Sequence, residues 1–190
     1  MVARRVQRIF RAWSSFYDSP ILQKPFYRRV HAAVMDQVTA PRSLLDIGCG
    51  TGQLLGDLVQ RFPAARAIGV DLSRDMLAIA RRRLEPRTAL LCCDVYALPL
   101  ADHAVELATS TISYHWYLEP ERALAEIHRV VAPGGRFVLA TMVSPVRTVI
   151  RNVRLTTVRE TTGQLTAAGF RVERVTRVRP LVAVFTALNE

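Results

Sequence analysis

Residues 46–52 read Asp46-Ile47-Gly48-Cys49-Gly50-Thr51-Gly52. Before them runs a short apolar segment, Leu44-Leu45-Asp46-Ile47, and after them Leu54, Leu55, Leu58 and Val59 recur at helical spacing. A strand that passes into a helix through alternate glycines is a binding turn. Glycine lets the backbone take positive φ and lets a ligand come close to the chain. The turn presents backbone N–H groups and a helix N-terminus to that ligand. In open parallel sheets such a ligand lies beyond the carboxyl ends of the strands, where the strand order reverses. This one segment points to an α/β fold and marks Gly48, Gly50 and Gly52 as a binding site.

The flanking sequence agrees. Arg66 to Val70, Thr88 to Cys92, Val105 to Thr109 and Arg136 to Thr141 read as four further short strands. Between them, Ser73 caps a helix through Met76, Ala80 and Leu84 that Pro86 stops. Glu119-Pro120 opens another through Leu124, Ile127 and Val131, ended by Pro133-Gly134-Gly135. The alternation implies a parallel sheet covered on both faces. At the N-terminus, residues 3 to 17 carry Val6, Ile9, Phe10, Trp13, Phe16 and Tyr17 at helical spacing, and Ser19-Pro20 opens a second helix to about Val38. After residue 142, Ser144-Pro145 reads as an N-cap pair. Val146, Val149, Ile150 and Val153 follow at helical spacing, with Arg147, Arg151 and Arg154 on another face. Thr157 and Glu160 fit a capping box for a helix ending near Gly169. Two β-branched runs separated by Arg179-Pro180 close the chain as a hairpin. The expected organisation is a single domain over 1–190. It comprises an N-terminal helical lid (1–40), a cofactor-binding core (41–142), and a short helical cover with a C-terminal hairpin (143–190).

Composition narrows the classes. A chain of 190 residues, half of them hydrophobic, can bury one sizeable core. No apolar run approaches the roughly 18 residues of a membrane span, and no signal peptide is read, so the expected location is cytoplasmic. Three cysteines, with Cys92 and Cys93 adjacent, form neither a disulfide framework nor a zinc pattern, and no metal site is expected. The net charge of +10 invites a nucleic acid or an anionic membrane surface as partner. Only Lys24 among the 26 basic residues is lysine, and such arginine usage also follows from a GC-rich genome.

The carboxylates choose among ligands. The dinucleotide fingerprint is G-x-G-x-x-G, whereas this turn reads G-x-G-x-G. Asp46 lies two residues before its first glycine. A buried carboxylate repels a pyrophosphate and attracts a sulfonium or an α-amino group. Asp71, at the end of the second strand, is placed for ribose hydroxyls, and Asp94, after the third, for an adenine amino group. Three acids at successive strand ends suit a cationic, ribose-bearing adenosine ligand without phosphate.

The runs DIGCGTG, GVDLS, CCDVYALPL and ERALAEIHRVVAPGGRFVLATM resemble the class I S-adenosylmethionine-dependent methyltransferases. The nearest pattern is the small-molecule group (methyltransferase type 11) of ubiquinone and menaquinone biosynthesis. The resemblance covers about residues 40 to 142. It implies a Rossmann-like three-layer sandwich with sheet order 3-2-1-4-5-7-6 and strand seven antiparallel. It implies S-adenosylmethionine as cofactor and S-adenosylhomocysteine as product. Gly48, Cys49, Gly50 and Gly52 would border the methionine part and Asp46 would hold its amino group. Asp71 would bind ribose, Leu72 and Met76 would flank adenine, Asp94 and Val95 would face its amino edge, and Ser110 would lie near the methionine.

The acceptor is less constrained. A base is required only if the acceptor must lose a proton. His115, in Ser113-Tyr114-His115-Trp116-Tyr117, and Tyr17 are the candidate catalytic residues. Trp13, Phe16 and Tyr17 could close over the cofactor. The expected acceptor is a small hydrophobic or aromatic molecule. RNA, suggested by the charge, and cofactor binding without catalysis are the alternatives. The Asn/Asp-Pro-Pro-aromatic element of amino-group nucleic-acid methyltransferases is absent; residues 110–113 read Ser110-Thr111-Ile112-Ser113. The short cover leaves three arrangements open: an exposed site, a homodimer that completes the pocket, or docking on an anionic surface.

Overall fold

The computed structural model describes residues 24–146, 148–150 and 153–190. The helix expected over 3–17, with Trp13, Phe16 and Tyr17, lies outside the described residues, as do Arg147 and Arg151. The elements are α1 (Lys24–Met35), β1 (Ser43–Ile47), α2 (Gln53–Arg61), β2 (Arg66–Asp71), α3 (Arg74–Arg83), β3 (Ala89–Cys92) and β4 (Val105–Thr111). After a 3₁₀ turn at Tyr114–Trp116 come α4 (Pro120–Val130), β5 (Val131–Met142), β6 (Thr148–Ile150), β7 (Val153–Leu155), α5 (Val158–Ala167), β8 (Phe170–Arg179) and β9 (Val182–Asn189).

Seven strands form one sheet in the order β3-β2-β1-β4-β5-β9-β8. β1 to β5 pair in parallel, and β9 runs antiparallel to both β5 and β8. Numbered within this sheet alone, the order is 3-2-1-4-5-7-6, as the family resemblance implies. Side-chain alternation along the strands feeds two cores. Leu45, Ile47, Phe137 and Leu139 pack under Leu124, Ile127 and Leu165 of α4 and α5. Leu44, Val138 and Ala140 face the other way, toward Val30 and Val34 of α1, Leu54, Leu55 and Leu58 of α2, and Leu77 and Ala80 of α3. Strands covered on both faces carry apolar residues at nearly every position, which is why SLLDI and RAIGVD lack polar alternation. Ser73 caps α3 by accepting the Met76 N–H at 3.3 Å, and Thr157 caps α5 by accepting the Glu160 N–H at 3.0 Å.

The described residues of the segment 143–155, expected as a helical cover, are not helical. β6 and β7 form a two-stranded antiparallel ribbon with Ile150 opposite Val153. The positions that gave helical spacing are β-branched, and such side chains are stiff at χ1 and favour the extended chain. The ribbon is tied to the end of β5 by the Ser144 N–H, which donates to the Thr156 carbonyl at 3.0 Å, and by a bridge between Val143 and Thr156. This anchoring fixes both ends in extended geometry.

Two glycines show opposite constraints. A Cβ on Gly135 in β5 would lie 2.7 Å from the Ala132 carbonyl oxygen and 2.9 Å from that of Glu106. These are backbone atoms and cannot swing aside. Gly163, inside α5, has no atom within 4 Å of the corresponding position. Gly135→Ala should lower the unfolding free energy by about 1–3 kcal/mol. Gly163→Ala should raise it by about 0.5–1 kcal/mol, because alanine removes glycine's excess entropy in the unfolded chain. Urea unfolding of the two variants checks both signs.

Candidate active site

The carboxyl ends of β1, β2, β3 and β4 converge on one cavity, closed on one side by α1. The glycine turn forms its floor. Gly48, Gly50 and Gly52 have φ of 68°, 54° and 75°, in the left-handed region that favours glycine. The Gly48 and Cys49 N–H groups donate to the Val70 carbonyl at 2.9 and 3.0 Å, which docks the turn on β2. Gly48 has a second requirement: a Cβ there would lie 2.7 Å from Ser113 Cβ. Gly52 is not on the cavity wall. It is the N-cap of α2, and a Cβ on it would lie 2.9 Å from Leu84 Cδ1.

Asp71 ends β2. Its Oδ2 accepts the Gly50 N–H at 2.8 Å and its Oδ1 accepts the Ser73 N–H at 2.7 Å. Burial pushes this carboxyl above its ordinary range, and the backbone N–H groups of Ser73, Gly50 and Leu72 oppose the push. Asp46 is 2% exposed, and Thr109, its register partner on β4, donates to its Oδ1 at 2.8 Å. Burial raises the Asp46 carboxyl to about 7; the Thr109 hydroxyl opposes this and the Asp71 charge adds to it. Asp94 lines the cavity after β3, and its Oδ1 accepts the Tyr96 N–H at 3.3 Å. Leu72, Met76 and Val95 line the same end. The structure thus brings together Asp46, Gly48, Cys49, Gly50, Asp71, Leu72, Met76, Asp94 and Val95 around one cavity.

The chain after β4 forms the opposite wall. Ile112 has φ of 54°, a strained value for a β-branched residue that costs on the order of 1–3 kcal/mol. Its N–H donates to Ala140 at 2.8 Å, which holds the bend and delivers Ser113 against Gly48. Ser110 is fully buried behind the wall; its hydroxyl lies 2.7 Å from that of Ser113 and 3.3 Å from that of Tyr117. Ser113 and Tyr117, which do line the cavity, are 3.1 Å apart at their hydroxyls. Burial pushes the Tyr117 phenol up to about 12, so it remains protonated at neutral pH. His115 is buried and is not on the wall among the described residues; its neighbour Trp116 is. Burial lowers the His115 imidazole to about 4, which keeps it neutral. Tyr17 lies outside the described residues.

Several wall residues escaped the sequence reading, Tyr27, His31 and Tyr96 among them. Tyr27 and His31 come from α1, one helical turn apart, where the only signal was a polar interruption of the Val30-Val34 face. Tyr96 joins two walls: its hydroxyl accepts the N–H groups of Leu118 and Glu119 at 2.9 and 3.1 Å, while the Arg122 guanidinium lies 5.3 Å above its ring. Among the described residues no group of three or more His, Cys, Asp or Glu side chains is placed to hold a metal ion. Nor is any helix among them long and apolar enough to cross a membrane.

Residues 45–139 match the family model described as a methyltransferase domain. The chain is 40% identical over 109 residues to the demethylmenaquinone methyltransferase of Thermus thermophilus, a match covering 56% of this chain and 50% of that protein. It is 35% identical over 143 residues to the malonyl-acyl-carrier-protein O-methyltransferase of Marinomonas sp., covering 74% of this chain and 51% of that one. The chain therefore spans about half the length of these curated relatives. Among solved structures, the (4+2)-cyclase SpnF superposes with a TM-score of 0.86 at 20% identity, covering 98% of this chain and 96% of that chain. The Burkholderia thailandensis 1,6-didemethyltoxoflavin-N1-methyltransferase, solved with 1,6-didemethyltoxoflavin and S-adenosylhomocysteine bound, gives 0.82 at 22% identity, covering 99% and 88%. At these identities the structural likeness establishes the fold.

Asp46 makes a measurable mark on stability. Its carboxyl holds a proton in the folded protein up to about pH 7, whereas the unfolded chain releases it near the ordinary carboxylate value of 3.8. The folded state binds more protons across that window, so this group's contribution is full below pH 4 and is lost as pH rises toward 7. Asp46→Asn keeps an acceptor for Thr109 and removes the titration. The difference in unfolding free energy between the variant and the parent protein should grow in the variant's favour by about 1–4 kcal/mol from pH 4 to pH 8. Denaturant unfolding at the two pH values measures it; a constant difference would refute it.

Proposed function

This chain belongs to the methyltransferase-domain family, and from that premise we propose that it is an S-adenosylmethionine-dependent methyltransferase acting on a small apolar or aromatic acceptor. The observation that carries the cofactor half is the placement of Asp46, Asp71 and Asp94 around one cavity floored by the glycine turn. The residues fit that cofactor. Asp46, buried without a cationic partner among the described residues, suits an ammonium or sulfonium. Asp71 retains lone pairs beyond its backbone bonds and suits ribose hydroxyls. Leu72, Met76 and Val95 offer apolar contact for adenine beside Asp94. When bound, S-adenosylmethionine supplies an electrophilic methyl group on sulfur.

The acceptor half rests on the other wall. Tyr27, Trp116, Tyr117 and Leu118 add an aromatic and apolar lining to the cavity. Such a lining fits a flat or apolar small molecule held by a few polar groups, here the Ser113 and Tyr117 hydroxyls. The relatives named above act on acceptors of different kinds, so the lining, and not the likeness, supports this choice. Orientation is the chief contribution these residues can make. Holding two reactants in line can supply effective molarities of about 10⁵–10⁸ M.

Isothermal titration should detect S-adenosylmethionine binding by the pure protein, and Asp71→Asn should weaken it about tenfold or more. The substitution turns one carboxylate oxygen into an N–H donor facing the backbone donors of Gly50 or Ser73. Incubation of a cell metabolite extract with methyl-labelled cofactor and the protein should transfer label to a small organic product. Label found only in RNA would replace the small-molecule reading with the nucleic-acid one.

A further inference from the structure

The cavity wall carries Asp46, Asp71 and Asp94, and among the described residues a single basic side chain, His31. S-adenosylmethionine has a sulfonium, an α-ammonium and one α-carboxylate. The three acids suit the cationic groups, the ribose and the adenine edge, and each would repel the carboxylate. We infer that His31, oriented by Asp57, recognises the α-carboxylate of the cofactor, an assignment that rests on the function proposed above.

The geometry singles out His31 on other grounds too. It interrupts the buried face of α1 between Val30 and Val34 and is itself 9% exposed. Its Nδ1 lies 3.6 Å from Asp57 Oδ2, on α2. Tyr27, one turn earlier, has its ring centre 5.9 Å away and also lines the cavity. α2 starts at Gln53, directly after the glycine turn, so the His31–Asp57 contact fixes α1 to the helix whose first turn opens on the site. With the Nδ1 edge facing Asp57, Nε2 is the ring atom left for a ligand. Burial lowers the proton affinity of the His31 imidazole and Asp57 opposes this. A ligand carboxylate on the Nε2 side opposes it further, and the imidazolium that the two carboxylates favour donates from both nitrogens, to Asp57 and to the ligand. The N-terminus of α2 adds positive potential to the same end of the cavity, since Gln53 is also on its wall. Asp57 is more than half exposed, so water screens its repulsion of the bound carboxylate. Asp57 is a positioning residue; His31 touches the cofactor.

Decarboxylated S-adenosylmethionine keeps the adenosine, sulfonium and amine and lacks only the carboxylate. Calorimetric titration of both ligands into the parent protein, His31→Leu, His31→Gln and Asp57→Asn isolates the interaction. The parent protein should prefer the carboxylated ligand about tenfold or more. His31→Leu should reduce that preference to within about threefold by weakening only the carboxylated ligand. His31→Gln, which keeps a neutral N–H donor, should restore part of it, and Asp57→Asn should fall between. If His31→Leu weakens both ligands equally, or neither, His31 is a packing residue and the assignment fails. If the parent protein binds neither ligand, the proposed function fails and the assignment with it. Thermal unfolding of each variant, with a single cooperative transition, establishes that the comparison is made on folded protein.

Discussion

Asp71 collects the N–H of Gly50 on one oxygen and the N–H of Ser73 on the other. One side chain thereby fixes the turn after β1 and the start of α3. Charge-assisted bonds of this kind contribute about 1.5–3 kcal/mol each. They offset the cost of burying a carboxylate, which still shows as a raised proton affinity. The floor of the cavity and one of its walls are therefore set by a group that also faces the cavity. Removing it would alter shape and charge together, which is why a conservative amide at this position is informative.

Asp46 is held differently. Its described hydrogen bond comes from the neutral Thr109 hydroxyl, and Asp71 is an unfavourable neighbour. A buried acid with one neutral donor and a nearby like charge is an unbalanced arrangement. A cation from a ligand restores the balance, and the restored interaction adds to binding. The cavity is preorganised to be stable only in part without its ligand. The two acids divide the work: Asp71 shapes the site and Asp46 stores the electrostatic demand that a cation satisfies.

The core of the fold was readable because each strand and helix there is consistent at several levels. β1, α2, β2 and α3 carry apolar pattern, glycine turn and Ser73 cap in agreement, and the structure follows them. The segment 143–155 misled because Val146, Val149, Ile150 and Val153 satisfy a helical period while also being β-branched. Local spacing could not reveal the tie between Ser144 and Thr156 that favours the ribbon. The acids of the site were legible because strand ends in a parallel sheet converge in a known place. His31 and Tyr27 were not, because α1 belongs to no motif and only tertiary packing brings it to the turn. Ser110, expected near the methionine, lies behind that wall and meets it through Ser113 and Tyr117. Burial depth of this kind leaves no periodic trace.

The wall also constrains the chemistry of the acceptor. Tyr117 stays protonated well above neutral pH, and His115 is neutral and off the wall. On the reading developed above, Asp46 serves the cofactor's cationic end and His31 its carboxylate. Beside the aromatic rings, the described wall then offers the acceptor the Ser113 and Tyr117 hydroxyls and the Cys93 thiol, which burial pushes up to about 11, and protonated hydroxyls and thiols are poor bases. An acceptor that fits such a wall brings a nucleophile already competent near neutral pH, such as an amine, a carboxylate, a thiolate or a stabilised carbanion. An aliphatic alcohol, which must lose a tightly held proton, fits it poorly. The protein's contribution then lies in alignment and exclusion of water, with the Ser113 and Tyr117 hydroxyls on the wall held from behind by Ser110.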